Sequence, residues 1–172
     1  MATGAAVEPQ SEYKIKSAYL YNFSKFTRLP EKHFSKNNSD YDLCIVGASP
    51  FGHFLEPLSG RDVQGRRLSL HYLNNKQAMD ICEMVFFTRA EAAQLDKLLR
   101  RAVEHNILTV SDIDGFTAHG GIIGLVTRGN RIRFQINQAV AQSCGISISA
   151  KLLELGEIIA SSREKETFRC SE

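Results

Sequence analysis

The chain has 172 residues, of which 43% are hydrophobic and 23% charged, a composition typical of a soluble globular protein and not of a disordered one. This length predicts one domain with one core. The 21 lysines and arginines nearly balance the 19 aspartates and glutamates, and the largest basic blocks are pairs such as Arg66 with Arg67, which argues against nucleic-acid binding.

No stretch approaches the ~20 apolar residues that cross a bilayer, so we expect no membrane insertion. The first ten residues have neither a charged n-region nor an apolar segment, so we expect no signal peptide there. A mature exported protein without its leader has the same appearance, and the compartment stays open at this point.

The N-terminal part predicts a flexible segment, a helix and a loop. Residues 1–12 show no pattern, whereas apolar residues recur at helical spacing over residues 13–29, and Pro30 closes the helix. Residues 31–42 are polar and predict a solvated loop. The predicted buried stripe of the helix consists of Ile15, Ala18, Tyr19, Asn22, Phe23 and Phe26.

The central part alternates between strands and helices. Apolar runs predict strands at 43–47, 68–72, 84–88 and 107–110. Ser49 and Pro50 predict the N-cap and first turn of a short helix that ends near residue 58. The other predicted connections are a loop at 60–66, a brief helix at 74–80, and a helix at 91–105 with Ala92, Leu95, Leu98, Leu99 and Ala102 on its apolar face. Such alternation predicts a mainly parallel sheet with helices on both faces.

The C-terminal part changes pattern. Residues 122–127 and 131–137 predict an antiparallel hairpin at the edge of the sheet, turning at 128–130. Helices are predicted at 138–144 and 149–160, with Gly145 as a C-cap between them. We therefore predict a three-layer α/β sandwich in a single domain over residues 13–161, followed by a charged, frayed tail at 162–172.

Two glycine-containing segments are candidate binding sites. Residues 47–52 follow a strand and precede a helix, as a phosphate loop does, but lack the Lys and Ser or Thr that nucleotide hydrolysis needs. Ser49 remains a candidate for a small anion or ligand, and a plain tight turn is the alternative. In the second segment, residues 60–67, a tight loop presents Arg61, Arg66 and Arg67, which suit carboxylate recognition or an interface, although solvated surface charge is the default.

We find no established catalytic motif in the sequence. Ser111, Asp112, His119 and His105 could cluster at the carboxyl ends of the strands, as a hydrolase would require. Ser111 more simply caps a turn that begins at Asp112. We therefore expect a protein that is not an enzyme.

Four cysteines bear on the compartment, and these are Cys44, Cys82, Cys144 and Cys170. They form no CxxC pair and have no histidine at a zinc-like spacing, so we expect no structural metal and no cofactor. In an exported chain an even number of cysteines indicates disulfides, whereas in a cytosolic chain the same number indicates buried thiols. Composition leaves both alternatives open.

Seven motifs occur in the order found in the YfiR-like periplasmic proteins. They are residues 16–30, Cys44-Ile-Val-Gly, Gly60-Arg with Gly65-Arg66, Cys82 before Phe86-Phe87, residues 108–112, Gly120-Gly121-Ile, and residues 131–137. The chain resembles this family over about residues 13–160. It departs from the family at Leu29, where Trp is common, and at Gln135, where an acidic residue is frequent.

The resemblance implies an exported repressor that binds the periplasmic sensing domain of an inner-membrane diguanylate cyclase, lowering cyclic di-GMP and biofilm formation. It also implies a homodimer, redox-sensitive disulfides and, in some systems, an outer-membrane lipoprotein that sequesters the repressor. The family pairing implies a Cys44–Cys82 bridge, whereas Cys144 and Cys170 could pair with each other, pair between chains or stay free. The candidate contacts for a partner or ligand are Ser49, Arg61, Arg66, Arg67, Arg131 and Arg133. The alternative function is a periplasmic small-ligand sensor acting on another membrane receptor, such as a histidine kinase.

Overall fold

The structure of the protein is a computed structural model that describes residues 9–30, 40–74 and 76–159. The described α-helices are α1 (Pro9–Lys25), α2 (Leu95–Glu104), α3 (Gln138–Ser143) and α4 (Ala150–Leu155). The described strands are β1 (Thr27–Arg28), β2 (Tyr41–Val46), β3 (Asp62–Val63), β4 (Arg66–Leu73), β5 (Met84–Phe87), β6 (Leu108–Ser111), β7 (Ile123–Arg128), β8 (Arg131–Ile136), β9 (Ser147–Ile148) and β10 (Glu157–Ile158). The connections contain the 3-10 helices Gly52–Leu58, Lys76–Ile81 and Arg89–Gln94.

The large sheet has the strand order β10-β8-β7-β6-β5-β2-β4-β3. Strands β7, β6, β5, β2 and β4 run parallel to one another, which confirms the predicted mainly parallel α/β fold. Strands β7 and β8 form the predicted antiparallel hairpin, with Arg128 opposite Arg131. The hairpin is not the outermost element, however, because β10 pairs in parallel with β8.

Both faces of the sheet are buried, as the predicted three-layer sandwich requires. In β2, Leu43 and Ile45 join a core that includes residues of α1, α3 and α4. Cys44 and Val46, which alternate with them along the strand, join a second core with residues of α2. Because alternate side chains of a strand point to opposite faces, this one strand contributes to both cores.

Helix α1 differs from the prediction at both ends. It begins at Pro9, inside the segment predicted to be flexible, and ends at Lys25, before the predicted stop at Pro30. Thr27 pairs with β9, and its hydroxyl donates to the Phe23 carbonyl at 2.7 Å. This pairing turns the chain away from the helix, so the proline does not end it.

The buried face of α1 is also not the predicted apolar stripe. Ile15, Ala18 and Asn22 belong to that stripe but are exposed. The residues that are buried instead are Lys16, Ser17, Leu20, Phe23 and Ser24. A lysine and two serines on the inner face obscure the hydrophobic period of the helix, which explains the wrong prediction.

The segment after β2 forms a turn and a 3-10 helix in place of the predicted α-helix. Ser49 does not act as its N-cap, because the Ser49 hydroxyl accepts from the Phe51 N–H at 3.3 Å and the helix begins only at Gly52. Pro57 lies inside the helix and has no N–H to donate, which disfavours an α-helix here.

The predicted loop at 60–66 contains a two-stranded turn. Val63 of β3 lies opposite Arg66 of β4. Gln64 and Gly65 connect them with φ values of 53° and 84°, as a two-residue type I′ turn requires. Arg66 and Arg67 therefore lie on a strand, contrary to the prediction of a loop.

The other two central connections are shorter or tighter helices than predicted. The brief helix expected at 74–80 is the 3-10 helix Lys76–Ile81. The helix expected at 91–105 is divided, because Arg89–Gln94 is a 3-10 helix and α2 begins at Leu95. As a result Ala92 is exposed, whereas the four later residues of the predicted stripe are buried.

After the hairpin, α3 and α4 flank β9. Gly145 has a φ of 70° directly after the α3 cap, which confirms the predicted C-cap glycine. The helix predicted at 149–160 is too long, because α4 ends at Leu155 and β10 follows. A Cβ at Gly156 would lie 2.6 Å from the Phe134 ring, so only glycine lets β10 approach β8 here.

The predicted tail at 162–172 and most of the predicted segment 1–12 lie outside the described residues. No helix in the described part of the chain combines the length and apolarity needed to cross a membrane. The prediction of one domain over 13–161 stays a prediction.

Candidate functional site

The carboxyl ends of β2, β5 and β6 meet at one edge of the sheet, which we call the carboxyl edge. From β2 the chain crosses to β4 on one side and later returns to β5 on the other. Open α/β sheets bind ligands at the carboxyl ends of strands, where such a reversal opens a crevice. Gly47 follows β2, Thr88 and Arg89 follow β5, and Asp112 follows β6.

A buried ion pair joins α1 to the carboxyl edge. Lys16 Nζ donates to Asp112 Oδ2 at 2.8 Å, and the two side chains are 2% and 1% exposed. Lys16 also donates to Glu12, and the Tyr13 hydroxyl donates to the same Asp112 oxygen at 2.8 Å. Burial, together with the bond to Asp112, raises the pKa of Tyr13 well above its ordinary value. Removing one charge of this cluster would leave the other buried and unpaired, at a large cost in stability.

Arg89 lies at the solvent side of this cluster. Its Nε is 3.5 Å from Asp112 Oδ2 and its Nη2 is 3.7 Å from Glu12, distances longer than a normal hydrogen bond. The Arg89 side chain is 61% exposed. It is therefore attracted by the two carboxylates but not locked to them, and its donors remain accessible to an anion.

A cavity of about 550 Å³ opens beside the cluster, and we call it the carboxyl-edge cavity. The segment after β6 forms one wall, and the outer face of the β7–β8 hairpin forms the other. Its lining includes Lys16, Arg89, Asp112, Leu125, Arg128 and Gln135. The size falls within the range of small-ligand sites.

Asp112 has one carboxylate oxygen without a hydrogen bond. Oδ2 accepts from Lys16 and Tyr13, whereas Oδ1 is buried and has no partner among the described residues. A buried acceptor without a donor is rare in native proteins and costs free energy. This oxygen is closed to solvent, so it is not accessible from the cavity in this structure.

The sequence-predicted site at Ser49 is close by in the fold but does not form a phosphate cradle. Ser49 is exposed and lies outside the lining of the carboxyl-edge cavity. Gly47 has a φ of 101°, and a Cβ there would collide with the Thr88 hydroxyl and Glu91. The close approach of these chains favours the tight-turn interpretation of residues 47–52.

The candidate hydrolase residues are not assembled into a triad. The Ser111 hydroxyl donates to the Phe87 carbonyl at 2.7 Å and accepts from the Ile113 N–H at 3.0 Å, so it caps a turn. His105 contacts Asp80 at 3.1 Å and His119 is 3.9 Å from Asp96. Each histidine thus faces a carboxylate other than Asp112. Among the described residues, no group of three or more His, Cys, Asp or Glu is arranged to hold a metal ion.

The predicted arginines fall into two groups, one near β3 and β4 and one on β8, toward opposite ends of the sheet order. Arg61 precedes β3 and lies over the Tyr21 ring at 5.2 Å, while Arg66 and Arg67 begin β4. Arg131 and Arg133 are exposed on β8. Helix α1 contacts both ends, because the Tyr19 hydroxyl donates to the Ile132 carbonyl and the Tyr21 hydroxyl to the Asp62 carbonyl. The structure therefore offers two arginine-bearing surfaces and not one.

The Cys44–Cys82 disulfide implied by the family resemblance is present. Its Cα atoms are 6.0 Å apart, and both cysteines are fully buried in the core beside α2. Cys144 is 1% exposed and is also disulfide-bonded. Cys170 lies outside the described residues.

A second acidic cluster lies at the opposite, amino-terminal ends of β2 and β5. Glu83 Oε2 accepts from the Asp42 N–H at 2.6 Å, and Asp42 Oδ1 is 2.8 Å from His71 Nε2. Burial raises the pKa of Glu83 to about 8, and the Asp42 carboxylate adds to the effect. Sequence reasoning did not identify this cluster.

Sequence reasoning also missed Lys16 and Arg89. Lys16 was hidden because a lysine on a helix is normally on the solvent side. Arg89 could have been found, since it comes directly after a buried strand, as Asp112 does, and such positions line the carboxyl edge of a parallel sheet.

Three comparisons place the chain among known proteins. A family model described as YfiR/HmsC-like matches residues 13–157. No curated protein matches the chain. One similar solved structure, an ABC domain in complex with L-Trp from Streptococcus pneumonia, is 11% identical with a TM-score of 0.49 and covers 69% of this chain. The chain spans 55% of that structure's length, and at this score the likeness carries no argument.

Proposed function

The chain belongs to the YfiR/HmsC-like family, whose model matches residues 13–157, and from this membership we propose that it is a periplasmic repressor of an inner-membrane diguanylate cyclase. The repressor binds the periplasmic sensing domain of the cyclase and holds the enzyme inactive. Its action lowers cyclic di-GMP and so limits biofilm formation. The family match carries this proposal, because it covers nearly all of the described residues.

The first contact surface that we propose for the cyclase lies at the β8–β10 edge of the sheet. Arg131 and Arg133 are exposed on β8, and β10 pairs with this strand. Leu155 and Ile158 are 61% and 54% exposed at the same edge. An apolar patch with arginines around it has the composition of a protein interface, since arginine is enriched there and lysine is depleted.

The second arginine group supplies an alternative contact surface. The exposed side chains at this end of the sheet are Arg67 and Tyr72, on opposite faces of β4, and Arg61, which precedes β3 and lies over the Tyr21 ring. Tyr72 is 50% exposed, and tyrosine and arginine are the side chains most often found to dominate binding energy. The two surfaces make different predictions for charge reversal, so one experiment separates them.

Redox tuning, if it operates through Cys44–Cys82, requires an opening of the fold. Both sulfur atoms are buried in the core beside α2, so a reductant cannot reach them in the closed structure. Thiol–disulfide exchange needs direct attack on a sulfur atom. We propose that oxidation acts by holding the repressor in its folded, binding-competent form.

The homodimer and the sequestering outer-membrane lipoprotein are further expectations from the family. The dimer is testable by light scattering of the purified chain at micromolar concentration. A strictly monomeric chain at that concentration would contradict it. The lipoprotein is testable by co-purification from envelope extracts of a strain that carries an affinity-tagged chain.

The decisive experiment measures binding and output together. The exported chain is co-expressed with a membrane diguanylate cyclase that has a periplasmic sensing domain and comes from the same organism, and cyclic di-GMP is quantified by mass spectrometry. Wild-type chain should lower cyclic di-GMP, and the purified chain should bind the cyclase's periplasmic domain in calorimetry. If neither occurs, the repressor proposal is wrong.

Charge-reversal variants then locate the surface. The R131E/R133E variant tests the β8–β10 edge and R61E/R67E tests the β4 surface, with R100E on the exposed side of α2 as the matched control. We expect R131E/R133E to weaken binding at least about tenfold, as removal of interface arginines commonly does. Unchanged binding of this variant together with weakened binding of R61E/R67E would move the interface to β4.

A further inference from the structure

The outer edge of β4 is open where β3 ends. We propose that two copies of the chain pair through this edge as antiparallel strands, with a two-fold axis at His71, so that their sheets join into one. The inference gives a surface to the homodimer proposed above. It does not depend on the repression of a cyclase, because pairing is measured on the purified chain.

Strand β4 is paired unequally on its two sides. On one side, β2 pairs with residues 68–73. On the other side, β3 pairs only with residues 66–67, and the Leu68 N–H and carbonyl are bonded to residues 60–61. In the described part of the chain, residues 69–73 therefore have no strand on their outer side, and we call this the open β4 edge. The exposed edge of a strand is a template for pairing with another chain.

The bonds of Leu68 determine which backbone groups of the open β4 edge point outward. Successive residues of a strand direct their N–H and carbonyl groups to alternate sides. Because the Leu68 groups point away from β2, those of Leu70 and Tyr72 do so too. Outside the sheet ladders, neither of these two residues makes a backbone hydrogen bond within the described residues. Each chain thus presents two N–H donors and two carbonyl acceptors along one line.

A second copy satisfies these groups by symmetry. In an antiparallel pair, two residues that lie opposite each other in a hydrogen-bonded position exchange both of their N–H···O bonds. With His71 on the two-fold axis, Leu70 of each copy lies opposite Tyr72 of the other, so four bonds form and no outward group of the two residues stays unpaired. The same register brings the leucine and tyrosine side chains together on one face, and aromatic and aliphatic cross-strand pairs stabilise a sheet. Leu70 already packs against the core beside α1, which the second tyrosine would extend.

The charges also favour a second copy at this edge. Residues 69–73 contain no lysine, arginine, aspartate, glutamate or proline, the residues that commonly protect an unpaired edge, so the edge opposes no like charges when it pairs with itself. The His71 ring is directed toward β2, away from the axis, because its Nε2 lies 2.8 Å from Asp42 Oδ1. Glu56 is the charged side chain that acts on Tyr72, and it is exposed, so solvent screens it from its copy.

Sedimentation velocity of the full chain over the micromolar range measures the pairing. We expect a monomer–dimer equilibrium in the wild type. Tyr72 is 50% exposed, so Y72K should fold, as circular dichroism can verify, and a lysine in the edge should raise the dissociation constant at least about tenfold. The matched control is I158K, because Ile158 is 54% exposed on β10 at the opposite end of the sheet, and this variant should dimerise as the wild type does. A monomeric wild type, an unchanged Y72K dimer, or a dimer lost in I158K would overturn the proposal.

Cysteine cross-linking tests the register. In H71C the new cysteine faces its own copy across the axis, at the Cα distance of about 4.5 Å that a non-hydrogen-bonded pair has and a disulfide can span. Mild oxidation should therefore give a covalent dimer on a non-reducing gel, beyond any that the wild type forms. S69C is the matched control on the same face of β4, and its two copies would be about 14 Å apart along the strands, too far to bond. Any result other than cross-linking of H71C alone would refute this pairing.

Discussion

Removing the Cys44–Cys82 bridge with the double variant C44A/C82A should destabilise the protein by about 4 kcal/mol. The two cysteines are 38 residues apart, and cross-linking a loop of this length restricts the unfolded chain by about 4 kcal/mol on the chain-entropy model. The bridge joins β2 to the segment just before its neighbour β5, and the loop that it closes contains β3 and β4. A double replacement avoids leaving one free thiol, and alanine avoids burying a hydroxyl group in an apolar core.

Urea unfolding followed by far-ultraviolet circular dichroism measures this change, since the chain has no tryptophan for fluorescence. The midpoint should fall, and the slope of the transition should rise because the unfolded chain without the bridge is more expanded. The melting temperature should drop by about 8 to 16 °C. A loss below about 1 kcal/mol would refute the loop-closure argument.

Reduction of the wild type gives an independent check of the same reasoning. Both cysteines are fully buried, so a mild reductant with iodoacetamide should not label Cys44 or Cys82 in the native protein. Labelling, read by mass spectrometry, should appear only when urea opens the fold. Rapid labelling without urea would show that the bridge is accessible, and a simple redox switch would then need no unfolding step.

Three further substitutions test separate parts of the structure. The pKa of Glu83 in the folded state is raised to about 8 from 4.5, so its contribution to stability is fully present below pH 4.5 and is lost as the pH rises through about 8. The melting temperature of E83Q should therefore exceed that of the wild type by a margin that grows from pH 4.5 to about pH 8. A difference in melting temperature that does not change with pH would contradict this. The Gln64 side-chain amide donates to the Ser24, Lys25 and Thr27 carbonyls at the end of α1. Both Q64A and the isosteric Q64E should therefore lower the free energy of unfolding in urea by about 1 to 2 kcal/mol. An unchanged free energy of unfolding in Q64E would refute the donor role. A Cβ at Gly121 would collide with the buried Phe116 ring, so G121A should lose about 1 to 3 kcal/mol by the same measurement, and a neutral result would show that the ring can move.

The strands of the sheet could be predicted because their residues are buried on both faces and form apolar runs. All four predicted central strands occur within two residues of their predicted limits. The helices were less predictable where one residue determines the form. Pro57 makes the segment after β2 a 3-10 helix, and Gly156 lets the chain leave α4 to pair with β8. Three of the four two-residue strands, β1, β9 and β10, pair with partners that are distant in the sequence, so no local pattern predicts them.

The candidate site could be predicted only in part. Asp112 was identified from its place after a strand, but its partner Lys16 lies 96 residues earlier. No spacing in the sequence relates the two, and their contact results from how α1 packs on the sheet. The disulfide was accessible only through the family resemblance, because the residues alone left thiols and disulfides as alternatives.

Helix α1 contacts the carboxyl edge and both arginine-bearing surfaces, and this limits which variants can identify the contact surface. Its Lys16 holds Asp112 at the carboxyl edge, while Tyr19 bonds to β8 and Tyr21 to the residues before β4. A change at Lys16 would leave a buried carboxylate unpaired and disturb all of these contacts at once. Loss of cyclase binding in such a variant would therefore not identify the contact surface. The exposed arginines of β8 are better suited to this purpose than Arg61, which lies over the Tyr21 ring of α1, or Arg89, which lies near Glu12 of α1.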